Sequence, residues 1–191
     1  MRSCYALLNI GNRIMISFRK ITLVVTLIFM LGGCGTSKRD KEGIYPYDAA
    51  LDRDYILQET EKAKFWLIAD ESIGYNQAET LDTGCHCFVK EPVHFFVYYK
   101  DSRPVGFISY YFDSALFGKI QFVFVDEQYR RQGIAEKMIM YALNRMRQEG
   151  AISIEICTRL INSGARTLYE KLGFKYLHDN GKYIYLEYSF K

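Results

Sequence analysis

The residues best placed to do chemistry lie in one short stretch, Val125-Asp126-Glu127-Gln128-Tyr129-Arg130-Arg131-Gln132-Gly133-Ile134-Ala135. An apolar strand pattern runs into it, and an amphipathic helix pattern leaves it at Ile134. Glycine at position 133 lets backbone approach a ligand with no Cβ in the way. The first N–H groups of a helix lack partners within it, and its dipole adds positive charge at the same end. Arg130 and Arg131 add guanidinium groups suited to phosphate oxygens. The stretch reads as a cradle for a phosphate-bearing ligand. No lysine-serine pair follows, so it is not a nucleotide P-loop, and a dinucleotide fingerprint needs more glycines. The pyrophosphate of another cofactor remains. The plain alternative is a basic turn that leads into a helix.

Several elements must hold this turn in place. Ala49 to Asp70 reads as a helix, with Leu51, Tyr55, Ile56, Glu59 and Ala63 along one side. Residues 71–92 are irregular, a long loop or short helix punctuated by Gly74, Gly84 and Pro92. Three strand patterns follow: Val93–Lys100, Val105–Phe112 and Lys119–Val125, the first two joined by a turn at Asp101-Ser102-Arg103-Pro104. Ile134–Gln148 is amphipathic, with Ile134, Met138, Ile139, Ala142, Leu143 and Met146 on one face, and Gly150 ends it. Ala151–Thr158 is a further strand. Asn162 or Ser163 can cap a helix that runs through Leu172 and stops at Gly173. Phe174–Leu177 and Tyr183–Phe190 form a hairpin around Asn180-Gly181. This order predicts a mixed sheet with helices packed on it, in the α/β or α+β class.

A second run reinforces the first: Asn162-Ser163-Gly164-Ala165-Arg166-Thr167-Leu168-Tyr169-Glu170-Lys171-Leu172-Gly173-Phe174. With the Arg-x-x-Gly-x-Ala turn upstream, the chain resembles the GNAT superfamily of acetyl-CoA-dependent N-acetyltransferases. The resemblance spans roughly Val93 to Tyr188, in matching element order. It implies a mixed, mostly antiparallel sheet of about six or seven strands flanked by helices. It implies acetyl-CoA as cosubstrate, no metal, and a primary amine on a small molecule or protein as acceptor. The backbone of Val123, Phe124 and Val125 would pair with the pantetheine arm. Arg131, Gln132, Gly133, Ile134, Ala135 and Glu136, with Arg130 beside them, would wrap the pyrophosphate. Asn162 would contact the cofactor where the sheet splays. Tyr169 would protonate the departing thiolate, since a phenol and an alkyl thiol have similar proton affinity. As a residue alone, Tyr169 is equally at home as a core aromatic beside Ala165, Leu168 and Leu172.

The base departs from the family pattern. Where some members carry a glutamate on the strand before the basic turn, this chain has Lys119, with Gln121 as the later polar residue. Glu155, between Ile154 and Ile156, is the carboxylate that remains, and it resembles one used by some protein-acetylating members. A water relay and a merely solvated Glu155 are its alternatives.

Composition and the first residues bound the rest. A chain of 191 residues suits one domain with a proper core. The net charge of +3 is not a nucleic-acid signal. Residues 1–33 hold Arg2, Arg13, Arg19 and Lys20 and no acid, and setting these four of 25 basic residues aside leaves 21 against 22 acids. Cys85-His86-Cys87 is too cramped to build a zinc site alone. Arg19-Lys20, the apolar run Ile21–Leu31 and Gly32-Gly33-Cys34 read as a signal segment over 1–33, shorter than the about 20 residues of a membrane span. Leu31-Gly32-Gly33-Cys34 resembles a bacterial lipobox, with Cys34 the lipidated residue. Met15 is an alternative start. Residues 34–43 read as a polar tether and 44–191 as the catalytic domain. The expected setting is membrane association through the leader or a lipidated Cys34, or the cytoplasm if the leader is uncleaved, as monomer or homodimer. A different reading makes the chain an anchored lipoprotein whose domain only binds a ligand.

Overall fold

The structure is a computed structural model and describes residues 39–67, 76–84, 86 and 91–191. The leader, the lipobox with Cys34, most of the tether, Cys85 and Cys87 lie outside these residues.

One seven-stranded sheet carries the molecule, in spatial order β1-β2-β3-β4-β5-β7-β6. The strands are β1 (Gly43–Pro46), β2 (Val93–Lys100), β3 (Arg103–Ser114), β4 (Phe117–Val125), β5 (Ser153–Arg159), β6 (Lys175–Asp179) and β7 (Tyr183–Ser189). All neighbours are antiparallel except β4 and β5. The helices are α1 (Ala49–Lys62), α2 (Lys64–Leu67), α3 (Gln77–Thr83), α4 (Ile134–Gln148) and α5 (Ser163–Lys171).

Alternation along the strands divides the core between two faces. On one, Met138, Ile139, Ala142, Leu143 and Met146 of α4 bury against Ile108, Tyr110, Ile120, Ile154, Ile156 and Leu186, with Tyr169 of α5 beside them. On the other, Ile56 of α1 and Leu81 of α3 cover Phe95, Val97, Phe107, Phe122 and Phe124. The six apolar positions expected on α4 are its buried residues.

Elsewhere the expectation shifts. The first helix breaks at Ala63, and its buried residues are Asp52, Ile56 and Thr60, so of the side expected from the sequence Ile56 alone is buried. A buried aspartate needs partners. Asp52 accepts from Arg39 Nη1 at 2.8 and 2.9 Å, from the Tyr99 hydroxyl at 2.6 Å and from the Asp48 N–H at 2.8 Å. That clip seats Arg39 on the domain, so the compact unit starts at Arg39 and Gly43 opens a strand. The polar stretch 34–43 thus belongs to the domain from Arg39 onward, because its guanidinium is neutralised there. Pro104 lies within β3, not in the turn; Asp101 and Ser102 make the turn, with φ of 52° and 59°.

One irregularity shapes everything that follows. Ser109 pairs with Phe122 but Tyr110 with Ile120, so Gln121 is bulged out of β4. The parallel pairing of β4 with β5 ends at Ile120↔Ile156. Beyond it β4 stays with β3, β5 stays with β7, and the two strands splay.

Candidate active site

The splay is the root of a cleft of about 950 Å³. Its walls are the end of β4 (Val123, Phe124, Val125), the turn and start of α4 (Arg130, Arg131, Gly133–Glu136), and α5 from Asn162 to Lys171. Ala63, Trp66 and Leu67 close it from the side of α1 and α2. Residues from both faces of the sheet line it, so the cleft passes through the sheet at the splay.

The ladder decides which groups β4 offers. Asp126 N–H donates to Val105 at 2.9 Å. Hydrogen-bonded and non-bonded pairs alternate in an antiparallel ladder, so Val125 and Val123, opposite Gly106 and Ile108, point N–H and C=O away from β3. With β5 gone, they point into the cleft. Arg130 Nε donates to the Val125 carbonyl at 3.0 Å, which ties the turn to the strand end.

The turn is backbone held in an unusual state. Arg131 has φ 63° and Gly133 φ 77°, both left-handed. Such strain in a non-glycine residue collects at ligand-binding turns. No backbone carbonyl among the described residues takes the N–H of Arg131 through Glu136. All of these residues but Gln132 line the cleft, so five unpaired amides and the positive end of a 15-residue helix suit an anion there. Glu136 would compete with that anion, but Lys171 Nζ holds its carboxylate at 2.8 Å across the cleft mouth. Gln132 lies outside the lining; its Oε1 accepts from Lys100 at 2.7 Å and its amide donates to the Gln128 carbonyl at 3.3 Å.

On the opposite wall, Asn162 is the α5 cap. Its Oδ1 accepts the Ala165 N–H at 3.2 Å and its Nδ2 donates to Thr158 Oγ1 at 3.3 Å. Tyr169 is 6% exposed, packs its ring against Phe174 and lines the cleft. Burial, and then the nearby Cys157, hold its hydroxyl well above the ordinary phenol range. At neutral pH it keeps its proton.

Glu155 is not in the cleft lining. It alternates with the buried Ile154 and Ile156, so it faces the α2 side of the sheet while Tyr169 stands on the α4 side. Its carboxylate lies 3.6 Å from Lys119 Nζ, which also reaches Asp113 at 3.2 Å. Cys157 is the free cysteine of the described residues, and burial pushes its thiol up to about 11. Such a thiol is no nucleophile at neutral pH. Among the described residues no group of three or more His, Cys, Asp or Glu side chains could hold a metal, and no helix is long and apolar enough to cross a membrane.

A model of the acetyltransferase (GNAT) family matches residues 45–174. This chain belongs to the GNAT family. The match covers the turn, Asn162, Tyr169 and both walls of the cleft. Human N-acetyltransferase 8 is 38% identical over 53 residues, 28% of this chain and 23% of that protein, so the chain spans about a quarter of the length of this curated relative. Ard1 from Thermoplasma volcanium superposes with a TM-score of 0.62 at 22% identity, over 78% of this chain and 97% of that one. A GNAT family acetyltransferase from Elizabethkingia anophelis, solved with acetyl-CoA bound, gives 0.56 at 16% identity, over 80% and 100%. At such identities the structures establish the GNAT fold. The sequence motifs led to the turn and α5. They missed Trp66, Leu67 and Lys171, whose roles depend on chain segments far apart in sequence.

Proposed function

We propose that this GNAT protein moves an acetyl group from acetyl-CoA to a primary amine by direct attack within a ternary complex. The observation that carries the reading is the splayed sheet, lined on one side by five residues with unpaired amides and on the other by Tyr169. When bound, acetyl-CoA supplies an activated acetyl thioester. Arg131–Glu136 fit its pyrophosphate, because their N–H groups have no backbone acceptor among the described residues and the backbone is already left-handed at Arg131 and Gly133. The outward groups of Val123 and Val125 fit an extended, amide-bearing arm. The Val125 N–H stabilises negative charge that grows on the acetyl oxygen.

Proton movement divides between the two faces of the sheet. Tyr169 holds the proton that the departing sulfur takes. Its burial weakens it as an acid, but the same dry wall raises the proton affinity of a thiolate, so the two stay matched. The amine arrives from the α2 face, and its proton passes to Glu155 on that face or through a water relay. The protonated state of Cys157 supports direct attack over an acetyl-cysteine route.

Thiol release from acetyl-CoA, scanned over a panel of amines with the full chain, tests the reading. Amine-dependent release is expected, with acetyl-CoA alone raising Tm. No Tm rise at millimolar acetyl-CoA would sink it.

A further inference from the structure

We propose that the acceptor amine also carries a carboxylate, and that Arg159, which stands beside α2 just outside the cleft lining, grips it. This rests on the acetyl-transfer reading and names the substrate class for it.

Two arginines in the described structure are nine-tenths buried, Arg39 and Arg159. Removing a guanidinium from water is costly unless its charge and donors are met. Arg39 meets that cost with Asp52, gripped through both carboxylate oxygens, and with the Pro46 carbonyl. Arg159 has no carboxylate partner among the described residues. Its Nε donates to the Phe65 carbonyl of α2, and its two terminal nitrogens keep some solvent contact and have no protein acceptor among the described residues. Its guanidinium carbon stands 3.8 Å from the Phe65 ring centroid and 5.2 Å from that of Tyr183. Aromatic contact stabilises the cation but does not occupy its in-plane donors. What those donors match is a planar anion, and carboxylate is the planar anion they bind in a fork.

The placement suits an acceptor. Arg159 follows Thr158, which holds the Asn162 cap, and Phe65 precedes Trp66 in the cleft lining. It shares with Glu155 the face of β5 opposite the buried Ile154 and Ile156. Glu155 lies four residues nearer the strand start, about 13 Å along β5. Along that face Glu155, ion-paired with Lys119, stands near the strand start, and Arg159, with no carboxylate partner among the described residues, stands at its end. The Tyr183 hydroxyl is also buried without a partner, and Lys182 Nζ lies 5.3 Å from the same ring. The positive end has more donors than the protein uses.

The test compares matched acceptors that differ only in the acid: phenylalanine against phenylalaninamide, lysine against lysinamide and β-alanine against β-alaninamide. The amides hold more free amine at neutral pH, so intrinsic reactivity favours them. We expect the acid to win in kcat/KM by about 10- to 100-fold for the accepted amine, the effect of a charge-assisted hydrogen-bonded pair. Arg159→Gln should bring the pair to parity, leave the amide within about threefold of wild type and leave the acetyl-CoA-induced Tm rise intact. Amides equal to or better than acids with the wild-type protein would overturn the proposal. So would equal losses on acid and amide in Arg159→Gln, which would make Arg159 only a latch for α2. If no amine turns over, binding of N-acetylphenylalanine against N-acetylphenylalaninamide decides instead, and equal affinities overturn it. Failure of acetyl-CoA to bind would be a separate result, against the transfer reading.

Discussion

The two walls of the cleft are built in opposite ways. The α4 wall is one continuous segment, from Val123 through the turn to Glu136, and it offers mainly backbone groups. The facing wall is gathered from Trp66 and Leu67 of α2 and from α5 between Asn162 and Lys171, and it offers mainly side chains. A backbone wall recognises what is constant in a substrate, and its groups tolerate changes of side chain. A side-chain wall can be rewritten by single substitutions without disturbing the fold. The difference teaches where to look for a family property and where to look for this protein's own.

Substitutions on the two walls should separate cleanly. The largest effect is expected from Tyr169→Phe, which lowers kcat by about 100-fold. Acetyl-CoA affinity, measured by titration, should then change less than about twofold; equal losses in both would remove the acid role. Gly133→Val comes next. A β-branched residue resists φ 77°, at a cost of about 2 kcal/mol, so acetyl-CoA Kd should rise about 30-fold. Trp66→Ala should act on the other wall alone. Its ring is half exposed and packs edge-on against Phe65 at 4.9 Å. Its loss should raise the acceptor KM by about tenfold, with acetyl-CoA binding unmoved. Lys171→Ala should weaken acetyl-CoA only about two- to threefold, since an exposed ion pair is worth little. A larger loss would make the pair's shielding of Glu136 central to phosphate binding.

A pH profile sharpens the same comparison. Tyr169 acts as an acid only while protonated, and its folded-state proton affinity is raised. Its function is therefore complete below the ordinary phenol range and is lost only above it. The kcat of the wild type should not fall between pH 7 and about 10. A basic limb in that window, absent from Tyr169→Phe, would show that the bound state lowers the phenol.

Much of the α4 wall was legible because its signals are local. Helix period located the buried side of α4, and glycine with two arginines marked the turn. The α1 stripe was misread because its key residue is polar: Asp52 faces inward to meet Arg39 and Tyr99, which no periodicity of apolar residues reveals. The strand β1 is four residues long and too short for a pattern to register. The splay itself comes from a bulge at Gln121, and a bulge depends on which residues of the partner strand stand opposite.

By itself, the sequence determined the element order, the amphipathic face of α4, the basic glycine turn at its start and the companion run that carries Asn162 and Tyr169. These follow from φ preferences, side-chain period and helix ends, all of which act within a few residues. Tertiary structure alone decided that Glu155 and Tyr169 stand on opposite faces of the sheet, that Lys171 reaches Glu136, and that Arg159 is buried between Phe65 and Tyr183 with no acid of the described residues paired to it. Charge compensation is settled by which groups meet in space, and a chain read along its length does not carry that distance.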